Sequence, residues 1–176
     1  MSAGPPPTIR RAREADRLAM LAIVNDAARA YRGVIPSDRW HEPYMSAFDL
    51  ASEIAAGVDF HLAELDGRPV GVMGIQDRGD VALVRHAYVS SAVQQRGIGS
   101  ALLRDLLAQS AKPVLIGTWA AASWAIAFYE RHGFVVVPVD VKERLLHTYW
   151  SIPARQVETS VVLADARWIA RHPATG

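Results

Sequence analysis

From Val89 to Leu103 the chain reads Val-Ser-Ser-Ala-Val-Gln-Gln-Arg-Gly-Ile-Gly-Ser-Ala-Leu-Leu: a strand end, a polar loop, then a helix with two glycines at its first turn. No other stretch narrows the fold as much. The first N–H groups of a helix lack intrahelical partners, and the helix dipole adds partial positive charge at that end. A strand, a glycine-rich loop and a helix in this order therefore form a holder for an anion, most often a phosphate. Gln94 and Arg96 add donors beside Gly97 and Gly99. Two common phosphate loops do not fit. A Walker loop requires a Lys after the last glycine, and none follows Gly99. A dinucleotide fingerprint requires a third glycine, where this chain has Leu102.

The flanking sequence sets the topology. Thr8 to Arg13 reads as a strand, and Asp16 caps a helix reaching Tyr31, with Leu18, Leu21 and Ala28 on one face. Pro36 and Ser37 start a second helical segment containing Trp40 and Tyr44, and Ser46 with Asp49 caps a third that ends at Gly57. A three-stranded meander follows: Phe60 to Leu65, a tight turn at Asp66-Gly67, a return strand through Val70 and Val72, and Val81 to Val89. After the glycine-loop helix come a buried strand at Pro113 to Thr118, a helix from Ser123 to Arg131 stopped at His132-Gly133, and strands at Phe134 to Val139 and Gln156 to Leu163. Val141 to Ala154 carries no readable pattern. The meander is antiparallel, whereas the strands on either side of the glycine-loop helix are parallel neighbours. The expected fold class is α/β (mixed α+β), a mostly antiparallel mixed central sheet of six to seven strands flanked by helices.

Bulk properties bound the rest. The chain has 176 residues, and its 51% hydrophobic and 21% charged residues suit one globular domain. Residues 1–7, with three consecutive prolines, read as a disordered tail, 8–165 as the single domain, and 166–176 as a C-terminal tail. A net charge of +1 supplies no field toward nucleic acid or an anionic membrane, so neither is an expected partner. The absence of cysteine excludes disulfides, thiolate metal sites and a cysteine nucleophile; no metal is expected. The start lacks the regions of a signal peptide and no apolar run nears the ~20 residues that span a bilayer, so the expected location is cytoplasmic. A homodimer is the default expectation for a small enzyme.

Gln94-Gln95-Arg96-Gly97-Ile98-Gly99 matches Q/R-x-x-G-x-G/A, and Ala125 to Phe134, Ala-Ile-Ala-Phe-Tyr-Glu-Arg-His-Gly-Phe, resembles A-I-x-x-Y-E-x-x-G-F. With the element order above, these motifs make the chain, over roughly residues 8 to 165, similar to the GCN5-related N-acetyltransferase (GNAT) family. The resemblance implies transfer of an acetyl group from acetyl-CoA to a primary amine by direct attack in a ternary complex. It also implies that Gln94, Gln95, Arg96, Gly97, Ile98, Gly99 and Ser100 hold the pyrophosphate. Backbone groups of Ala87, Tyr88 and Val89 would pair with the pantetheine amides as an added strand does. Tyr129 falls where the family places a general acid for the departing thiolate. At position 122 the family often has Asn, and this chain has Ala122.

A lysine-like amine with pKa ~10.4 is neutral in only about one molecule in two thousand at pH 7, so a proton acceptor is needed. His86 is the candidate base, lying near the sheet centre with an ordinary pKa of about 6.5. Period-two alternation sets His86 with Val84 and Tyr88 on one face, and Arg85 with Ala87 on the other. Asp80 and Glu64 are weaker base candidates. Tyr31, Trp40 and Trp119 are candidates for the amine pocket, joined by Tyr44 and Trp124. The preferred partner is a small-molecule amine. The alternatives are a noncatalytic acyl-CoA-binding or regulatory module, and an acetyltransferase acting on a protein amine.

Overall fold

The structure, a computed structural model, describes residues 5–173. Its seven strands are β1 (Thr8–Arg11), β2 (Val58–Leu65), β3 (Arg68–Asp77), β4 (Ala82–Val89), β5 (Val114–Trp119), β6 (Val135–Val136) and β7 (Ser160–Ala164). Seven α-helices accompany them: α1 (Arg17–Ala27), α2 (Ala47–Ala55), α3 (Ile98–Gln109), α4 (Ser123–Arg131), α5 (Val139–Tyr149), α6 (Ala154–Glu158) and α7 (Ala166–Arg171). The strand order is β1-β2-β3-β4-β5-β7-β6. The β4–β5 pair is parallel, as the helical crossover between them demands, and β1–β2, β2–β3, β5–β7 and β6–β7 are antiparallel. The expected fold class is thus the observed one. Among the described residues no helix is long and apolar enough to cross a membrane.

The chain divides into two compact units, one holding residues up to 30, 41–76 and 85–109, the other 31–40, 77–84 and 110 onward. In the first unit, α1 and α2 bury Met20, Ile23, Val24 and Leu50 against Val58, Phe60, Leu62 and Val72 of the sheet. The α1 face differs from the expected one. Leu18 is 81% exposed, and the buried stripe is Met20, Ile23, Val24 and Ala27. Asp16 does not cap α1 through its side chain either. Its carboxylate accepts from the Arg13 amide at 2.7 Å and from both Arg10 guanidinium ends at 2.8 and 2.9 Å. Arg10 also reaches Glu64 at 2.7 Å. These contacts, the Arg10 hydrogen bond foremost, hold the Asp16 carboxyl down at about 2. By contrast α2 begins as expected: Ser46 Oγ accepts from the Asp49 amide at 3.1 Å, and Asp49 accepts from the Ser46 amide at 2.8 Å.

In the second unit, Val81, Leu83, Leu115, Val162 and Ala164 pack with Leu145 and Leu146 of α5 and Trp168 of α7. Three expectations change here. The strand expected at Phe134 to Val139 shrinks to Val135–Val136, because Pro138 starts α5. The strand expected from Gln156 begins only at Ser160, after α6. Residues 166–171 of the expected C-terminal tail form α7, which Asp165 caps by accepting from the Trp168 amide at 2.9 Å while Trp168 is buried. Of the expected N-terminal tail, residues 1–4 lie outside the described residues.

One close approach fixes α3 on the sheet. A Cβ on Gly71 of β3 would stand 2.9 Å from Ile98 Cγ2 and 3.1 Å from Leu102 Cδ1. Gly71→Ala should therefore lower unfolding stability by about 1–3 kcal/mol through overpacking. Urea titration checks this, and an unchanged midpoint would contradict the close packing.

Candidate active site

In the first unit, β4 leads into a 3₁₀ turn at Ser91–Val93 and then into the glycine loop. Gln95 and Gly97 adopt left-handed backbone, φ 66° and 75°, immediately before α3. The first bond closing the helix runs from the Ala101 amide to the Gly97 carbonyl at 3.0 Å. The amides of Ile98, Gly99 and Ser100 precede that bond and so lack an intrahelical acceptor. Ile98 is buried, whereas Gln94, Gln95, Arg96 and Gly97 are exposed. A Cβ on Gly97 would meet nothing within 4 Å, so this glycine leaves the backbone bare to solvent. Gln94 donates to the Val89 carbonyl at 3.3 Å, tying the loop back to the strand that feeds it. Leu65, Gln95, Arg96 and Gly97 together with Pro5, Pro6 and Pro7 line a hollow of about 430 Å³.

Upstream in β4 the expected alternation fails. His86 has φ 54°, a left-handed residue inside a strand, which turns its side chain out of sequence with its neighbours. Arg85 and His86, assigned to opposite faces by period two, therefore meet the same carboxylate. Glu53 Oε2 lies 3.0 Å from His86 Nε2 and 3.1 Å from an Arg85 guanidinium nitrogen. The His86 contact is an ion-pair approach with poor hydrogen-bond alignment. Arg85 also donates to Gln76 at 3.1 Å, and the Phe60 ring lies 5.8 Å from that of His86. Burial pushes the Glu53 carboxyl upward, but His86 and Arg85 outweigh it and hold the group below the ordinary range. Glu53 is the site residue that sequence reasoning missed; nothing local to α2 marks it. Tyr88 and Tyr44 make an edge contact at 6.3 Å in this unit. Of the weaker base candidates, Glu64 is bound to Arg10, and Asp80, in the second unit, accepts from the Tyr149 hydroxyl at 2.8 Å.

In the second unit, the β4–β5 ladder pairs Ala82 with Val114, Leu83 with Leu115 and Val84 with Ile116. It ends there, although β5 continues to Trp119. Tyr129 of α4 is 6% exposed, edge-on to Phe128 at 5.1 Å and Phe134 at 6.1 Å. Burial, with a smaller contribution from nearby Tyr31, pushes its hydroxyl pKa far above the ordinary value, so it stays protonated throughout the neutral range. Tyr31 in turn packs against Trp124 at 5.4 Å. The second unit thus gathers Tyr31, Trp124 and Tyr129. Trp119, at the end of β5, is 9% exposed and its carbonyl accepts from the Ala122 amide at 3.0 Å, and Trp40 is half-buried after the Ser37–Arg39 turn. Ala122 occupies the cap position of α4 and offers no side-chain acceptor. Among the described residues no group of three or more His, Asp or Glu could hold a metal ion.

Residues 56–136, from the end of α2 to β6, match the family model described as acetyltransferase (GNAT) domain. No curated protein matches the chain. Among solved structures, the fold is similar to PaiA N-acetyltransferase of Thermoplasma acidophilum in complex with coenzyme A, at 17% identity and TM-score 0.68, covering 94% of this chain and 99% of that one. It is also similar to ribosomal-protein-alanine N-acetyltransferase of Brucella melitensis, at 26% identity and TM-score 0.58, covering 74% and 86%. A third likeness is to N-acetylglutamate synthase of Neisseria gonorrhoeae with coenzyme A and N-acetyl-glutamate, at 19% identity and TM-score 0.61, covering 90% of this chain and 34% of that one. Residues 56–136 thus match an acetyltransferase (GNAT) domain, and the fold around them is that of solved N-acetyltransferases. Domain and neighbours together support an acyl-CoA-dependent N-acetyltransferase.

Because the folded Glu53 carboxyl lies below its ordinary value of 4.5, its ion pairs stabilise the protein above that pH. The contribution disappears as pH falls through the folded value. Glu53→Gln should lose stability at pH 7 and show a smaller loss on acidification than the wild type, measured by denaturant midpoints across pH. Equal pH dependence in both proteins would refute the pairing.

Proposed function

We propose that this protein moves the acetyl group of acetyl-CoA to the primary amine of a small molecule by direct attack, with donor and acceptor bound together. One observation carries the reading: bare, left-handed backbone opens the N-terminus of α3 within the stretch that matches an acetyltransferase domain. In this reading the amides of Arg96 to Ser100, aided by Gln94 and Gln95, hold the diphosphate. Backbone groups of Ala87, Tyr88 and Val89 take the pantetheine amides. The amine nitrogen bonds to the thioester carbonyl carbon, and the carbon–sulfur bond breaks with its electron pair leaving on sulfur.

Two proton movements complete the balance. His86 accepts a proton from the amine, with Glu53 orienting one ring nitrogen so that the other can act. A left-handed histidine in a strand costs about 1–2 kcal/mol, and such strain concentrates at functional positions. Tyr129 gives its proton to the thiolate; its raised pKa keeps that proton in place until sulfur departs but weakens the group as an acid, so its contribution is modest. Tyr31 and Trp124 are read as the platform for the acceptor, with Trp40 and Trp119 as further lining. The likeness to a ribosomal-protein-alanine acetyltransferase favours a second reading, in which the acceptor is a protein α-amine. A cytoplasmic location and a homodimer belong to the same proposal.

Calorimetry with CoA and thiol release from acetyl-CoA, across small amines and N-terminal alanyl peptides, test the proposal. Release with small amines is expected; binding without release would favour a noncatalytic module, and release with peptides alone the second reading. No binding at all would end the transferase reading. Tyr129→Phe should reduce turnover roughly ten- to a hundredfold. Turnover within about twofold of wild type would remove Tyr129 from the mechanism. His86→Ala should erase the acidic limb of the pH–rate profile, and an unaltered profile would free His86 of the base role.

A further inference from the structure

The loop that enters α3 is held at its start by a residue from a distant part of the chain. Asp26, in the last turn of α1, accepts from the Ser91 amide at 2.7 Å. It also accepts from the Ser91 hydroxyl at 3.0 Å and lies 3.5 Å from the Ser90 hydroxyl. Ser91 opens the 3₁₀ turn Ser91–Val93, and Ser90, at the cap position, makes no side-chain cap bond. The Asp26 carboxylate therefore does for this turn what a capping side chain does for a helix. On the other side the Ser90 amide donates to the Val70 carbonyl of β3 at 2.8 Å. Arg29 approaches Asp26 only to 4.0 Å and is 79% exposed, so its hold on the carboxylate is weak.

We infer that Asp26 is a positioning residue for carrier binding: it fixes the start of the loop whose amides, from Arg96 to Ser100, face the diphosphate. The inference rests on the transferase reading above. Two left-handed residues, Gln95 and Gly97, follow within six positions of the anchored serine, so the direction of those amides depends on where the loop starts. Removing the anchor leaves the amides present but unaligned, and the carrier must then order them at the expense of affinity. The hydrogen bond from the Ser91 amide, against the opposing pull of burial, holds the Asp26 carboxyl below the ordinary range, so the acceptor is ionised at neutral pH.

Asp26→Asn keeps the shape but loses the charge and one acceptor oxygen. It should raise the calorimetric Kd for CoA and the KM for acetyl-CoA roughly tenfold, the loss expected for charge-assisted hydrogen bonds. The KM for the amine and kcat at saturation should stay within about twofold. Ser91→Ala, which keeps the backbone bond, should shift the CoA Kd by less. Amide hydrogen exchange without ligand should quicken at 91–100 in Asp26→Asn while β2 and β3 stay protected. CoA affinity and loop exchange both equal to wild type would overturn the role, as would a kcat loss matching the KM change. A wild type that binds no CoA would instead overturn the transferase reading, and this role with it.

Discussion

Gln95 and Gly97 hold left-handed backbone at the one place where a helix can still choose its starting residue. That choice determines which amides remain unpaired. A helix extended backward by a turn would close its first bonds on the loop and cover the donors. Instead the helix starts at Ile98, and burial of Ile98, Leu102, Leu103 and Leu106 fixes its position along the sheet. The proposed anion site is therefore a matter of packing and backbone. Exposed side chains around it add donors but do not create it, and the bare face of Gly97 keeps the approach open.

The kink at His86 is the second departure from regular structure. A strand in strict alternation could not bring Arg85 and His86 to one carboxylate. With His86 at φ 54° both reach Glu53, so a guanidinium, an imidazole and a carboxylate form one half-buried cluster. Removing a single member would leave the others desolvated and under-paired, which couples the three positions energetically. The distortion and the ion cluster support each other. The carboxylate on α2 gives the kinked ring a polar partner, and the kink lets a strand present two successive residues to it.

Elements announced by short-range chemistry were legible in the sequence. The Ser46–Asp49 capping box, the Asp66-Gly67 turn, the glycine loop and the His132-Gly133 stop each act within a few residues. Elements whose signal is tertiary were not. The stretch from Val141 to Ala154 resisted reading because α5 buries only Lys142, Leu145 and Leu146, a stripe too thin for periodicity to reveal. Lys142 even donates to the Val157 carbonyl from inside the core, an arrangement that no propensity suggests. α7 looked like a tail because one buried tryptophan anchors it. In the site, the loop was readable whereas Glu53 was not. Its partners lie on another strand, and one left-handed residue there breaks the register that sequence reasoning assumes.

Glu53, which orients the proposed base, and Tyr129, the proposed acid, illustrate how surroundings set protonation. Burial acts in the same direction on Glu53 and on Tyr129, disfavouring the charged form of each. Glu53 has Arg85 and His86 against it, and their attraction exceeds the desolvation cost, so the carboxyl remains ionised. Tyr129 has only aromatic rings and another phenol nearby, so nothing opposes burial and its proton is retained. Opposite protonation states at neutral pH thus arise from one desolvation term and two different sets of neighbours. In the proposed reaction each state has its use: an ionised Glu53 can orient the ring of His86, and a protonated Tyr129 still has a proton to give.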